Sequence, residues 1–245
     1  MDSPNKHTLS PVYVGGSVIG MKFRDGIVIA CDTRISYGSI AKMMNVNDRV
    51  SQVNDRTLIS STGEYSDYQE VCRLLKEKAQ EDSLGKQSYL GPDELANYLS
   101  SMHYHRRNKA NPFWNNTIIG GLDWENKPTL YSIDQFGTIL KGDYLLAGMA
   151  QYFCHAIVQP QYPTNSDALD RNSAMFMIED CFRTLFYRDT KAGNKIKYGI
   201  LTNVNGEVKY EEIVRELKSN WDYDRFVKQA NEKIYLENWL ILIIN

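Results

Sequence analysis

The side chains with the widest chemical reach in this 245-residue sequence are four cysteines and four histidines. Cys31, Cys72, Cys154 and Cys181 are scattered, and no two stand at the Cys-x-x-Cys spacing of a zinc or redox site. Cys72 and Cys181 fall in apolar helical stripes, where a thiol acts as a small hydrophobe. Reduced core cysteines of a cytosolic or nuclear protein are the expectation. His103 and His105 make the one close histidine pair, on a segment read as helical. Residues two apart on a helix diverge, so surface histidines are expected there and a metal pair is not. His155 beside Cys154 spells a thiol and an imidazole, but neighbours in sequence seldom align for catalysis. No Gly-x-x-x-x-Gly-Lys or Gly-x-Gly-x-x-Gly run offers a cradle for nucleotide phosphates. No cofactor and no metal are therefore expected. The run His105-Arg106-Arg107-Asn108-Lys109, with Trp114 nearby, has the residue types of an RNA-binding module. In isolation it reads better as a solvated helix end favoured by the negative end of the dipole. Lys+Arg 28 against Asp+Glu 30 leaves a net charge of −2, which gives no basic field to draw in nucleic acid or an anionic membrane.

Behind these residues stands an ordinary globular composition, 42% hydrophobic and 24% charged, which excludes disorder, collagen and a disulfide scaffold. The start, Met1 to Gly15, lacks a continuous apolar stretch and does not read as a signal peptide. The longest apolar run, Trp239 to Ile244, falls far short of the roughly 20 residues that span a bilayer. A soluble intracellular protein is expected. Ser17–Phe23 and Ile27–Cys31 flank Arg24-Asp25-Gly26 and predict a β-hairpin. Shorter strands follow near Val50–Val53 and Leu58–Ser60. Tyr68, Val71, Cys72 and Leu75 mark one amphipathic helix, and Leu95, Tyr98, Leu99 and Met102 a second, opened by Gly91-Pro92-Asp93. Strands return at Thr117–Leu122, Thr129–Ile133 and Thr138–Leu140. A third helix carries Ile178, Cys181, Phe182 and Leu185. A last hairpin pairs Tyr198–Val204 with Val208–Tyr210 across Asn205-Gly206. Hairpins dominate and regular βαβ alternation is absent, so helices must cover antiparallel sheets from outside. The order predicts one domain of the α/β (α+β) class, an α/β sandwich in layers.

At the first hairpin the sequence resembles a family. Gly-Ser-Val-Ile-Gly-Met-Lys-Phe, a turn, an apolar strand and then Asp32 are similar to the opening of proteasome beta subunits. Tyr104-His105-Arg106-Arg107-Asn108-Lys109-Ala110-Asn111-Pro112-Phe113-Trp114-Asn115 resembles the Tyr-x-Arg-Arg-x-Lys-x-Asn-Pro-x-Trp-Asn signature of a non-catalytic type within that family. Ser36-Tyr37-Gly38-Ser39, Gly63-Glu64-Tyr65-Ser66-Asp67, Tyr187-Arg188-Asp189 and Asn220-Trp221-Asp222 match in order and approximate spacing. The resemblance covers roughly Gly15 to Asp222. It implies the N-terminal-nucleophile hydrolase fold, a four-layer αββα sandwich of two antiparallel sheets flanked by helices.

In that family the first strand begins with a catalytic threonine, exposed as a free N-terminus when a propeptide is removed. Such a hydrolase needs a hydroxyl whose proton an amine takes, in surroundings that a lysine tunes. Counting back from Lys22, the nucleophile position here is Gly16, which has no oxygen to attack a carbonyl. Ser17 is no substitute, because a one-residue shift in a strand turns the side chain to the opposite face. Asp32 and Asp189 match the family's two site aspartates, and both are expected to be buried acids accepting backbone N–H bonds. The site lysine falls at Arg49 with one inserted residue, or at Asp48 with none. Arginine stays protonated and aspartate reverses the charge. The serine expected after Gly148 is Met149, and the one after Asp189 is Ala192. The expectation is a catalytically silent member of a threonine-protease complex, the alternative an active threonine- or serine-type peptidase of the same fold.

The resemblance also implies partners: alpha and beta subunits in four stacked, seven-membered rings, within which other beta types degrade ubiquitin-marked proteins, in cytoplasm and nucleus. No nucleic acid or membrane is expected. Residues 1–15 read as a leader, 16–222 as the domain and 223–245 as an extension toward neighbouring subunits. Ile234 to Leu236 and Trp239 to Ile244 form an apolar, strand-prone end that would be an aggregation hazard in water. In the family a C-terminal arm reaches the opposite beta ring. Candidate interface residues are Arg106, Arg107, Lys109, Trp114, Trp221, Trp239, Leu240, Ile241 and Leu242.

Overall fold

A computed structural model describes residues 13–38, 40–43, 45–86 and 90–218. Its apolar side chains collect in three separate clusters, and these define the layers. Strands β2 (Val18–Phe23) and β3 (Gly26–Asp32) show why. Successive side chains of a strand point to opposite faces, so Ile19, Met21 and Phe23 with Val28 and Ala30 enter one cluster. Val18, Ile27, Ile29 and Cys31 enter another. Both strands are buried throughout, which is why they read as continuous rather than alternating apolar runs.

The second sheet shows the same division. In β7 (Thr57–Glu64), β8 (Asn115–Leu122) and β9 (Pro128–Ile133), Leu58, Ile118 and Leu130 face the cluster shared with β2 and β3. Their neighbours Ile59, Ile119 and Tyr131 face α1 (Tyr65–Lys86) and α2 (Pro92–Asn108) through Val71, Leu75, Leu95 and Leu99. On the far side α3 (Ala150–Phe153), α4 (His155–Val158) and α5 (Arg171–Arg188) cover β2, β3 and β12 (Lys195–Val204). The stack is helices, sheet, sheet, helices, as the resemblance implied.

Both sheets are antiparallel. The five-stranded one runs β11-β2-β3-β12-β13, with β11 at Tyr144–Ala147 and β13 at Glu207–Glu216. The eight-stranded one runs β10-β9-β8-β7-β1-β4-β5, with β6 (Val50–Asn54) paired to β7 from outside this path. Here β1 is Tyr13–Gly15, β4 Ile35–Tyr37, β5 Ile40–Met43 and β10 Ile139–Lys141. The sheet thus crosses the boundary expected between leader and domain at Gly15.

Both expected hairpins form. Asn205 and Gly206 have φ of 54° and 91°, the positive pair that a two-residue hairpin turn requires. In the first hairpin Phe23 pairs with Gly26, leaving only Arg24 and Asp25 in the turn. Gly26 is a strand residue: a Cβ there would lie 2.0 Å from the Leu201 carbonyl oxygen of the adjacent strand. The short strands β1, β4, β5 and β11 and the four-residue helices carry too few residues for periodicity to reveal them.

Candidate functional site

Three of the residues singled out for chemistry, Gly16, Asp32 and Arg49, meet where the first hairpin enters the sandwich. Gly16 lies between β1 and β2, Asp32 ends β3, and Arg49 ends a 3₁₀ turn, Asn47–Arg49, leading into β6. That turn is anchored because Ser60 Oγ donates to the Arg49 carbonyl at 2.6 Å. The Arg49 side chain then runs inward, and both it and Asp32 are 1% exposed. Arg49 Nη1 is ion-paired with Asp32 Oδ1, and Nη2 donates to the Gly16 carbonyl at 2.8 Å. The other carboxylate oxygen, Asp32 Oδ2, accepts the Gly193 N–H at 2.9 Å. Spacing alone leaves the lysine position open between Arg49 and Asp48. The side chain that fills the site is Arg49, while Asp48 is exposed.

Burial opposes both charges of this pair. At Asp32 it holds the carboxyl above its usual range, against the pull of Arg49 and the Gly193 amide. At Arg49 burial is outweighed by the Asp32 charge, and the guanidinium is held more firmly protonated than usual. A guanidinium that cannot give up its proton cannot serve as a base. The thiol of Cys31, next to Asp32, is pushed up by burial to about 11, far from a reactive thiolate.

Two adjacent glycines make room for the pair. A Cβ at Gly15 would lie 2.9 Å from Arg49 Nε and Nη2, and one at Gly16 would lie 2.6 Å from Asp32 Oδ1. The volume a nucleophilic side chain would need at position 16 is already held by the carboxylate. Ser17 turns away as the strand period requires: it is buried, and its Oγ accepts the Ala150 N–H at 3.0 Å.

The other positions differ in their fate. Met149 is 39% exposed, just before α3. Ala192 is buried, and its carbonyl accepts from Arg34 Nη1 at 3.0 Å, a contact to the site's rim that no sequence spacing announces. Asp189 corrects the expectation of a second buried acid. It is partly exposed at the end of α5, and its Oδ1 accepts the Lys191 N–H at 2.9 Å. It caps a turn, and Asp32 alone of the two is enclosed.

The histidine reading needs a correction too. His103 is fully buried on α2, packed against Phe113 with ring centroids 5.8 Å apart, its Nδ1 2.7 Å from the Asp134 carbonyl. His105 is exposed as expected. Among the described residues no group of histidines, cysteines and acids could hold a metal ion, and no helix is long and apolar enough to cross a membrane.

The candidate interface residues divide. Arg106 folds back over the Phe113 ring at 3.8 Å, and its Nε donates to the Asn111 carbonyl at 3.2 Å. Arg107 sits between Tyr104 and Phe136, 5.9 and 5.4 Å from their rings. Lys109 is exposed and Trp114 half-buried. Trp221, Trp239, Leu240, Ile241 and Leu242 lie outside the described residues. Two of the matching segments, Gly63–Asp67 and Tyr104–Asn115, meet in one junction. Asp67 Oδ2 accepts the Trp114 N–H at 2.9 Å, Asn115 Nδ2 donates to the Thr62 and Glu64 carbonyls at 3.1 and 2.9 Å, and the Glu64 N–H donates to the Trp114 carbonyl at 2.9 Å.

The four-layer sandwich, with a glycine, a buried acid and a buried cation at the head of its first hairpin, has the architecture of the N-terminal-nucleophile hydrolases. The family model described as "Proteasome subunit" matches residues 12–201. The chain is 35% identical to a "Probable proteasome subunit beta type-7" of Schizosaccharomyces pombe, over 91% of its own length and 84% of the relative's. It is 30% identical to the "Proteasome subunit beta type-4" of Xenopus laevis, covering 89% and 88%, and of Arabidopsis thaliana, covering 92% and 89%. The chain belongs to the proteasome beta subunit family.

Proposed function

We propose that this chain is a catalytically silent beta subunit of the 20S core particle, contributing shape and contacts while neighbouring subunits cut protein substrates. The observation that carries this is Gly16 at the head of β2, its missing side chain replaced by an Asp32 carboxylate 2.6 Å from where a Cβ would stand. Acyl transfer by this fold needs a hydroxyl at that point and a neutral amine near it. Here the chain supplies a hydrogen atom and a permanently charged guanidinium. The relatives named beta type-4 and type-7 support assignment to a corresponding ring position. Four buried free cysteines fit a reducing compartment such as cytoplasm or nucleus.

The test is a hydroxyl-directed covalent inhibitor applied to purified particles, with adducts mapped chain by chain. Label on neighbouring subunits and none on this chain is expected. An adduct on this chain, at Ser17 or elsewhere, would overturn the assignment.

A further inference from the structure

The dipeptide Asn-Gly occurs once in the sequence, at Asn205-Gly206, and Asp-Gly once, at Asp25-Gly26. Both pairs carry the parts of a reaction that needs no enzyme. The glycine nitrogen attacks the side-chain carbonyl carbon of the residue before it and closes a succinimide ring, and glycine hinders this least because it has no Cβ. At an asparagine the new C–N bond displaces the side-chain amide, which leaves as ammonia with the proton from the glycine nitrogen. Water then opens either ring C–N bond. The products are aspartate and isoaspartate, the second with an extra carbon in the main chain.

The two dipeptides are neighbours in the fold, because the Asn203 N–H donates to the Asp25 carbonyl at 2.7 Å. Gly26 is built into the sheet, paired with Phe23 on one side and Thr202 on the other. Gly206 belongs to the turn joining Val204 to Glu207, is exposed, and would offer a Cβ nothing to touch within 4 Å. Crowding does not restrain it. Its carbonyl accepts only a long bond from Asn126 Nδ2, at 3.5 Å. What holds its nitrogen is Asn203, whose Oδ1 accepts the Gly206 N–H at 2.9 Å. Attack requires this N–H to leave its acceptor, lose its proton and turn the freed lone pair toward Asn205. While the bond lasts, the nitrogen faces an oxygen that would repel that lone pair.

From this geometry we infer that Asn205 is a self-modification site of the chain and that Asn203 is the residue holding it unreacted. Conversion puts a negative charge, and in isoaspartate a longer backbone, into the turn that sets the register of β12 against β13. Since β12 also pairs with β3 as far as Asp32, a slip there reaches the strand that carries the buried carboxylate. The inference rests on this hairpin alone and stands whether or not the chain is catalytically silent.

The experiment ages purified particles in warm, mildly alkaline buffer and follows the peptide containing Asn205 by mass spectrometry, with isoaspartate resolved from aspartate. A synthetic peptide of residues 202–209 is the unstructured reference. Asn205 is expected to convert more slowly in the particle than in the peptide. Asn203→Ala should raise the rate in the particle about two- to tenfold, the factor that one hydrogen bond carries. Asn203→Asp, which keeps an acceptor oxygen, should stay near the wild-type rate. Equal rates for wild type and Asn203→Ala overturn the role of Asn203, and no conversion in Asn203→Ala overturns the site itself. If that variant does not assemble, hydrogen exchange at the Gly206 amide of the purified full chain decides. Faster exchange than in the wild type is expected, and unchanged exchange overturns the inference.

Discussion

Arg49 and Asp32 depend on one another because neither charge can be left alone in the interior. Removing one partner of a buried pair leaves an uncompensated charge, which costs about 3–5 kcal/mol. Arg49→Ala is therefore expected to lower the stability of the chain by that amount in urea denaturation, well beyond the usual effect of a point substitution. Replacing both partners, with Arg49→Met and Asp32→Asn, should recover much of the loss, because the remaining groups are neutral. A double variant no more stable than Arg49→Ala would show that the charges are not what holds this corner. Gly16 carries a related prediction. Gly16→Ala puts a methyl group 2.6 Å from Asp32 Oδ1, so the carboxylate must move and strain its bonds to Arg49 and Gly193. Overpacking of this kind costs about 1–3 kcal/mol, and an unchanged urea midpoint would show that the site has slack. The sequence reveals the absent hydroxyl directly. That Arg49 is the residue filling the gap becomes visible only once Gly15 is seen beneath its guanidinium and Gly16 beneath the Asp32 carboxylate.

Among the elements, α1, α2 and β8 depend on one another at a shared junction. Asp67 near the start of α1 holds the Trp114 amide, Arg106 near the end of α2 covers Phe113, and His103 ties α2 to the turn after β9. Burial draws the His103 imidazole below its usual range, against the Asp134 carbonyl and the Asp67 charge and together with Arg106. The unfolded chain, with an imidazole near pH 6.5, therefore takes up this proton more readily than the folded one. Stability from this site is present above about pH 6.5 and is lost as pH falls. Asp67 acts in the opposite sense at lower pH, since burial holds its carboxyl above the usual value. Between about pH 7.5 and 5.5, across the usual His range and above the carboxylates, the urea midpoint should fall for the wild type. It should fall less for His103→Asn, whose amide can still donate to Asp134. Equal slopes would remove His103 from the account. Asp67→Ala should cost about 1–3 kcal/mol by stripping the Trp114 amide of its acceptor. The long helices and hairpins were legible because period 3.6, period 2 and Asn-Gly are local signals. His103 was not, because position two before His105 says nothing about Phe113 and Asp134, which the sheet brings to it. Nor was Asp189, since a matching aspartate looks the same in sequence whether enclosed or capping a turn.

At the scale of the whole molecule, the described domain buries its apolar residues in three clusters between four layers, yet the sequence places six further apolar residues in a row, Trp239 to Ile244, near its end. A run of this kind with no charge is a hazard if left in water, and soluble chains seldom leave such segments uncovered. In a subunit of a ring assembly the natural cover is another subunit, reached by an added strand or by side chains entering its pockets. Contact across the two beta rings would place this segment at the step where half-particles join. Removing Trp239 to Asn245 is then expected to leave the domain folded. It should also slow the joining of half-particles, so that sedimentation shows them accumulating at the expense of full particles. A truncated chain that folds and gives full particles in normal yield would assign the tail to its own domain. A truncated chain that no longer folds would do the same, and circular dichroism of the purified variant separates these two results.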